Sequence, residues 1–227
     1  MSIIEKLQWA KSAKGQNIAL YQSTITLRNP IIIIGGVHGD EPEGVSLAKS
    51  CLAWLKRNTD SGKKTTHDWV VIPCLNVDGF AENTRVNGNG VDLNRNYPSA
   101  DWSAHFEKDR YFPGNKPASE PEIQALLPLF ESTKPKVVIH CHSWLPCIVI
   151  NGNDAQTYGR PLAQACGYEL KNDIGYPTPG SLSRFGIEKN IPVVCIEEAE
   201  KTPDEKIWPH FQQGFEKIFY SVQNGKN

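Results

Sequence analysis

Two short runs carry side chains able to hold a metal ion. Residues 36–41 read Gly-Val-His-Gly-Asp-Glu, which spaces His38 and Glu41 as H-x-x-E. They follow the apolar run Ile31-Ile32-Ile33-Ile34, so a turn leaving a buried strand would bring one imidazole and one carboxylate to a common point. The second run, Val-Val-Ile-His-Cys-His-Ser-Trp, sets His140 and His142 at the end of another apolar stretch. Strand alternation puts both on one face. His142 lies nearer the carboxyl end, where open α/β sheets gather their ligands, and we assign it as the third donor. His140 is then a core or supporting histidine. Two histidines and one glutamate would leave a four-coordinate zinc ion one position for water, a hydrolytic arrangement. His67 and His210 read as surface residues, and His105 falls in a loop region.

The elements that must position these residues follow from apolar patterning. Strands are expected at residues 31–37, Trp69–Leu75, Val137–His142, Cys147–Ile150 and Val193–Glu197. Helices are expected over Glu43–Arg57, about Glu120–Ser132, Ala155–Cys166, Ser181–Asn190 and Asp204–Val222. Ser119 and Glu122 have capping-box spacing. Residues 76–118 lack periodicity and are rich in Asn, Gly and Asp, which reads as a long functional loop region. Alternating strands and helices define an α/β fold: a mixed, mostly parallel central sheet with helices on both faces.

The 227 residues suit a single domain spanning 1–227, and a hydrophobic share of 39% provides for a soluble core. A formal net charge of −1 gives no basic surface for nucleic acid, and the longest apolar run is far too short to span a bilayer. The six cysteines contain no C-x-x-C pair and read as buried free thiols. The N-terminus lacks a leader pattern, so a cytoplasmic protein is expected.

The run Thr84-Arg85-Val86-Asn87-Gly88-Asn89-Gly90-Val91-Asp92-Leu93-Asn94-Arg95-Asn96-Tyr97-Pro98 resembles the heart of the zinc carboxypeptidase family. Asn76-Val77-Asp78-Gly79 resembles the family's N-P-D-G, and Gly-Gly-Val-His-Gly-Asp-Glu and His142-Ser143 resemble its metal motifs in the same order. Gly175-Tyr176-Pro177-Thr178-Pro179-Gly180-Ser181 is similar to the branch whose members are amidases of murein peptides. His142-Ser143-Trp144 departs from that branch's His-Asp-Pro.

The resemblance implies a fold, one zinc ion and a set of roles. His38, Glu41 and His142 would hold the metal. Glu197, ending the apolar strand, would be the general base, with Glu198 and Glu200 as rivals. Arg85 would stabilise the oxyanion, and Asn94 with Arg95 would clamp a substrate carboxylate through the planar guanidinium fork. Asp92 would orient His38 through its other ring nitrogen, and Tyr176 would close over the substrate. The substrate implied is a small peptide, a murein tripeptide cut between γ-D-glutamate and diaminopimelate. The alternatives are an N-acyl amino acid hydrolase resembling succinylglutamate desuccinylase or aspartoacylase, a general metallocarboxypeptidase, and a peptide-binding relative without catalysis. The N-acyl amino acid hydrolases tend to carry His-Asn-Thr at the third ligand, unlike His142-Ser143-Trp144.

Overall fold

A computed structural model describes residues 3–220. In chain order its strands are β1 (Ile4–Lys11), β2 (Asn17–Gln22), β3 (Ile31–Gly35), β4 (Trp69–Ile72), β5 (Val137–Trp144), β6 (Cys147–Asn151), β7 (Glu169–Lys171) and β8 (Val193–Ala199). Its α-helices are α1 (Pro42–Asp60), α2 (Val77–Glu82), α3 (Pro121–Thr133), α4 (Ala155–Cys166), α5 (Leu182–Lys189) and α6 (Asp204–Tyr220). The strands form one sheet in the order β1-β2-β4-β3-β5-β8-β6-β7. Its centre is parallel: β3 pairs with β4 and β5, and β5 with β8. The β6 strand enters antiparallel to β8, and β2 antiparallel to β4, so the sheet is mixed and mostly parallel at its centre.

Continuous apolar runs become central strands because both faces are covered. Ile31 and Ile33 face the layer containing α1, α4 and α6, while Ile32 and Ile34 face the layer containing α3 and α5. Helix α1 lies close against β5: a Cβ on Gly44 would collide with the Cys141 carbonyl. No helix among the described residues is long and apolar enough to cross a membrane.

Two features differ from the sequence expectation. The β1–β2 hairpin has no apolar run, because β1 is an edge strand with Glu5, Lys6, Leu7 and Gln8 exposed. The capping box is not formed: Glu120 is the N-cap of α3, and Ser119 Oγ donates to Glu120 Oε1 instead. Glu122 is drawn inward, accepting from Ala13 N and Asn87 Nδ2. Helix α6 begins at Asp204 as expected and runs to Tyr220; Val222 lies outside the described residues.

Candidate metal centre and active site

The site is built from two sides. On the strand side, β5 and β8 pair in parallel with His142 opposite Glu197 and His140 opposite Cys195. Period-two alternation sends these four side chains to one face. All four are buried, Glu197 remaining 8% exposed. On the loop side, the chain leaving β3 turns through His38 to Glu41, the N-cap of α1.

The three assigned donors converge. His38 Nδ1 lies 2.7 Å from Glu41 Oε1, and His142 Nδ1 lies 2.7 Å from Glu41 Oε2. The two Nδ1 atoms are 3.0 Å apart. Their outer nitrogens are engaged elsewhere: His38 Nε2 with Asp92 Oδ1 at 3.2 Å, and His142 Nε2 with His140 Nδ1 at 2.8 Å. Both His38 nitrogens face carboxylates that can only accept; with a cation between the donors, Asp92 would keep the hydrogen on Nε2 and the Nδ1 lone pair would turn inward. His142 does the same if its Nε2 donates to His140. Two imidazole nitrogens and a buried carboxylate, all within 4.8 Å of one another, make a donor set of the kind one zinc ion takes. A second cluster of possible donors, His140, His142 and Cys195, lies directly below. With His142 donating from Nε2, His140 would carry its hydrogen on Nε2, which is buried without a partner among the described residues, and would support His142 through Nδ1.

Electrostatics follow the same division. Burial opposes ionisation of Asp92, but the charges of Arg85 and His38 outweigh it and its pKa is lowered. The Asp92 carboxylate accepts from Arg85 Nε at 2.9 Å and from Asn94 N at 2.9 Å, so it orders the loop as well as His38. Burial is the largest influence on Glu197 and raises its pKa, with the Glu41 charge adding to the rise. His142 and a Cys195 Sγ–H bond of 3.2 Å to Glu197 Oε1 pull the other way. Of the rivals for Glu197, Glu198 points to the opposite face, bound by Tyr168, Thr202 and His210. His210 is therefore half-buried and bonded, not a free surface residue. Glu200 is exposed on the cavity wall.

A cavity of about 1340 Å³ opens over the donors, and its walls include Arg85, Asn94, Arg95, Tyr176 and Glu197. Leu182 N, at the start of α5, donates to Asn94 Oδ1 at 3.0 Å, leaving the Asn94 amide nitrogen free to donate. Arg95 is 7% exposed, and Nη1 donates to the Asn94 carbonyl; no carboxylate pairs with it among the described residues. Tyr176 is 43% exposed and packs edge-on against Trp144, with ring centroids 5.6 Å apart. Burial raises its pKa, while Arg95 and Arg85 lower it, so its hydroxyl lies within their field.

Sequence reasoning missed Tyr111. Its ring lies 5.3 Å from the Arg85 guanidinium carbon, 5.7 Å from that of Arg95 and 5.6 Å from that of Arg110. Three guanidinium groups share one electron-rich ring, which offsets part of their mutual repulsion. The loop segment around Tyr111 has no periodicity, and only the neighbouring arginines hint at it.

The family model described as zinc carboxypeptidase matches residues 2–217, and the chain belongs to that family of metal-dependent hydrolases. The chain is 34% identical over 208 residues to murein peptide amidase A of Escherichia coli K12, covering 87% of this chain and 82% of the relative. It is 26% identical over 219 residues to murein peptide amidase A of Vibrio campbellii, covering 92% and 85%. Among solved structures, murein-tripeptide amidase from Escherichia coli O157 superposes with a TM-score of 0.75 at 28% identity, covering 94% of this chain and 90% of the other. Carboxypeptidase A from Helicoverpa armigera shares the fold, with a TM-score of 0.77 at 19% identity over 96% of this chain and 66% of the other.

Proposed function

We propose that this chain hydrolyses the amide between γ-D-glutamate and diaminopimelate in murein tripeptide, with one zinc ion held by His38, Glu41 and His142. Arg95 carries the substrate reading. A buried guanidinium without a carboxylate partner, on the wall of the cavity that holds the donors, calls for an anionic group from the ligand. A peptide with a free carboxylate beside the scissile amide supplies one. The named activities of the relatives, murein peptide amidases, agree with this choice.

The bound ion would polarise the carbonyl and acidify water in its open position. Arg95 and the Asn94 amide nitrogen bind the substrate carboxylate and fix the register of the scissile bond. Glu197 takes the proton of the attacking water. Its buried setting raises its proton affinity toward what a base working near neutral pH needs. As the carbonyl oxygen gains charge, Arg85 donates to it; that guanidinium is held by Asp92 and by Glu41 at 3.2 Å. Glu197 then delivers the proton to the departing amine, giving a carboxylic acid on one side and a free amine on the other. Tyr176 covers the reacting groups and excludes water. A cytoplasmic site of action, where cell-wall fragments are recycled, fits this reading.

The test is incubation of the zinc-loaded protein with the tripeptide, followed by mass spectrometry for free diaminopimelate. Release by wild type and its loss in Glu197→Ala are expected. Absence of release by wild type would remove the assigned substrate.

A further inference from the structure

We propose that Asp40 and Arg110 form a subsite on the acyl side of the scissile bond that recognises an amide N–H and a carboxylate on the same carbon. This rests on the reading above and sharpens it. A small recess beside the main cavity is lined by Asp40, Thr84, Arg85, Gly90, Asp109 and Arg110. Asp40 and Arg110 also face the main cavity, so the recess continues the substrate channel. Asp40 lies between the donors His38 and Glu41 in the chain, which fixes the recess beside the metal centre.

The two side chains are incompletely used. Arg110 Nη2 contacts Asp40 Oδ2 at 3.2 Å, and no other carboxylate pairs with this guanidinium among the described residues. Arginine has five N–H donors in a planar fork, so most of its donors remain free. Asp40 Oδ1 is buried with no hydrogen-bond partner. An accepting oxygen and a donating fork therefore stand side by side. Tyr111 holds Arg110 and Arg95 about one ring, with Phe112 O and Pro113 O tied to Asp92 N and Asn96 Nδ2 at 2.8 and 2.7 Å. With Arg85 over the same ring, that places three arginine forks around the channel.

The chemistry that fits is a γ-linked glutamyl unit. When the side-chain carbonyl of glutamate forms the scissile amide, its α-carbon retains a free carboxylate and an amide N–H to the preceding residue. An ordinary α-linked peptide has no such carboxylate. Arg110 would take the carboxylate and Asp40 Oδ1 the N–H, so the pair selects γ-linked over α-linked acyl groups. The exposure of Arg110, whose side chain is 51% exposed, admits ligand and makes its replacement compatible with folding.

The experiment compares the tripeptide with its analogue in which the glutamyl α-carboxylate is a carboxamide, in wild type, Arg110→Gln and Arg110→Lys. In wild type, kcat/KM should favour the acid at least tenfold, mostly through KM. Arg110→Gln should bring the ratio close to one, and Arg110→Lys should keep part of it. A tripeptide methylated on the glutamyl amide nitrogen should raise KM, reporting on Asp40. Equilibrium binding of both peptides to Glu197→Gln separates the two readings. Discrimination in binding without turnover by wild type would sink the proposed reaction and leave the subsite standing. Turnover with equal treatment of acid and carboxamide, or a ratio unchanged in Arg110→Gln, would overturn the subsite alone.

Discussion

The strand side and the loop side of the site are held by different physics. His142 and Glu197 sit opposite each other in a parallel pair whose register runs from Val138↔Val193 to Trp144↔Ala199. Backbone hydrogen bonds and apolar burial fix them, and a one-residue slip would turn both to the wrong face. Arg85, Asp92, Asn94 and Arg95 have no such ladder. They are fixed by polar contacts, with Asn87 as one anchor: its Nδ2 donates to Glu120 and Glu122 at 2.7 and 3.1 Å, and its Oδ1 accepts from Val91 N. The difference extends to the two imidazoles. His38 leans on a charged carboxylate, whereas His142 leans on His140, whose pKa burial and the neighbouring His142 hold well below the usual histidine range. The strand side should therefore tolerate loss of a polar support better than the loop side.

The largest effect that tests this contrast is Glu197→Gln. Loss of a general base should lower kcat by roughly 10²–10⁴-fold. Glu198→Gln, one residue along on the opposite face, should lower Tm through its buried bonds to Tyr168 and His210 while the folded fraction keeps its kcat. Equal losses of kcat in the two variants would mean that strand register does not separate the roles. Next come the two histidine supports. Removing such a partner typically costs about 10–100-fold in metal affinity. Asp92→Asn should fall near the upper end because it also releases Arg85, and His140→Leu near the lower end. Competition with a chromophoric chelator measures both; a greater loss for His140→Leu reverses the contrast. Arg95→Ala should then raise KM for the tripeptide more than it lowers kcat, by about tenfold for one lost charged hydrogen-bonded contact. A pure kcat effect would move Arg95 from binding to the chemical step.

The two sides also differed in what the sequence disclosed. Central strands were legible because Ile31–Ile34 and Val137–Ile139 can only be buried on both faces, and alternation correctly paired the faces of His140 and His142. The loop side was legible only through its resemblance to a known motif. Nothing in the spacing of Arg85 and Asp92 predicts their 2.9 Å contact, since irregular backbone has no period to read. Tyr111 and Arg110 escaped because each depends on long-range placement. Strand β1 escaped because an exposed, charged edge strand leaves no apolar signature. The capping box misled because Glu122 found stronger partners in Ala13 N and Asn87 than the helix terminus could offer.

The smallest expected effect is on acid and neutral stability in chelator-treated protein, where the two sides should differ in sign. Asp92 has a folded pKa lowered by Arg85 and His38 against its burial, so its ionised form favours the fold. That contribution is present above its unfolded pKa of about 3.9 and fades as pH falls toward the folded value. Asp92→Asn should thus be less stable than wild type near neutral pH, with the gap starting to narrow only below about pH 3.9. Glu197 has a folded pKa raised chiefly by burial. Its protonated form favours the fold, a contribution present below the unfolded pKa of about 4.3 and lost as pH rises through the folded value. Glu197→Gln should therefore be slightly more stable than wild type near neutral pH, with the gap closing in acid. Urea unfolding across pH 3–8 reads both curves, and parallel curves for the two variants would show that the loop and strand carboxylates feel the same field.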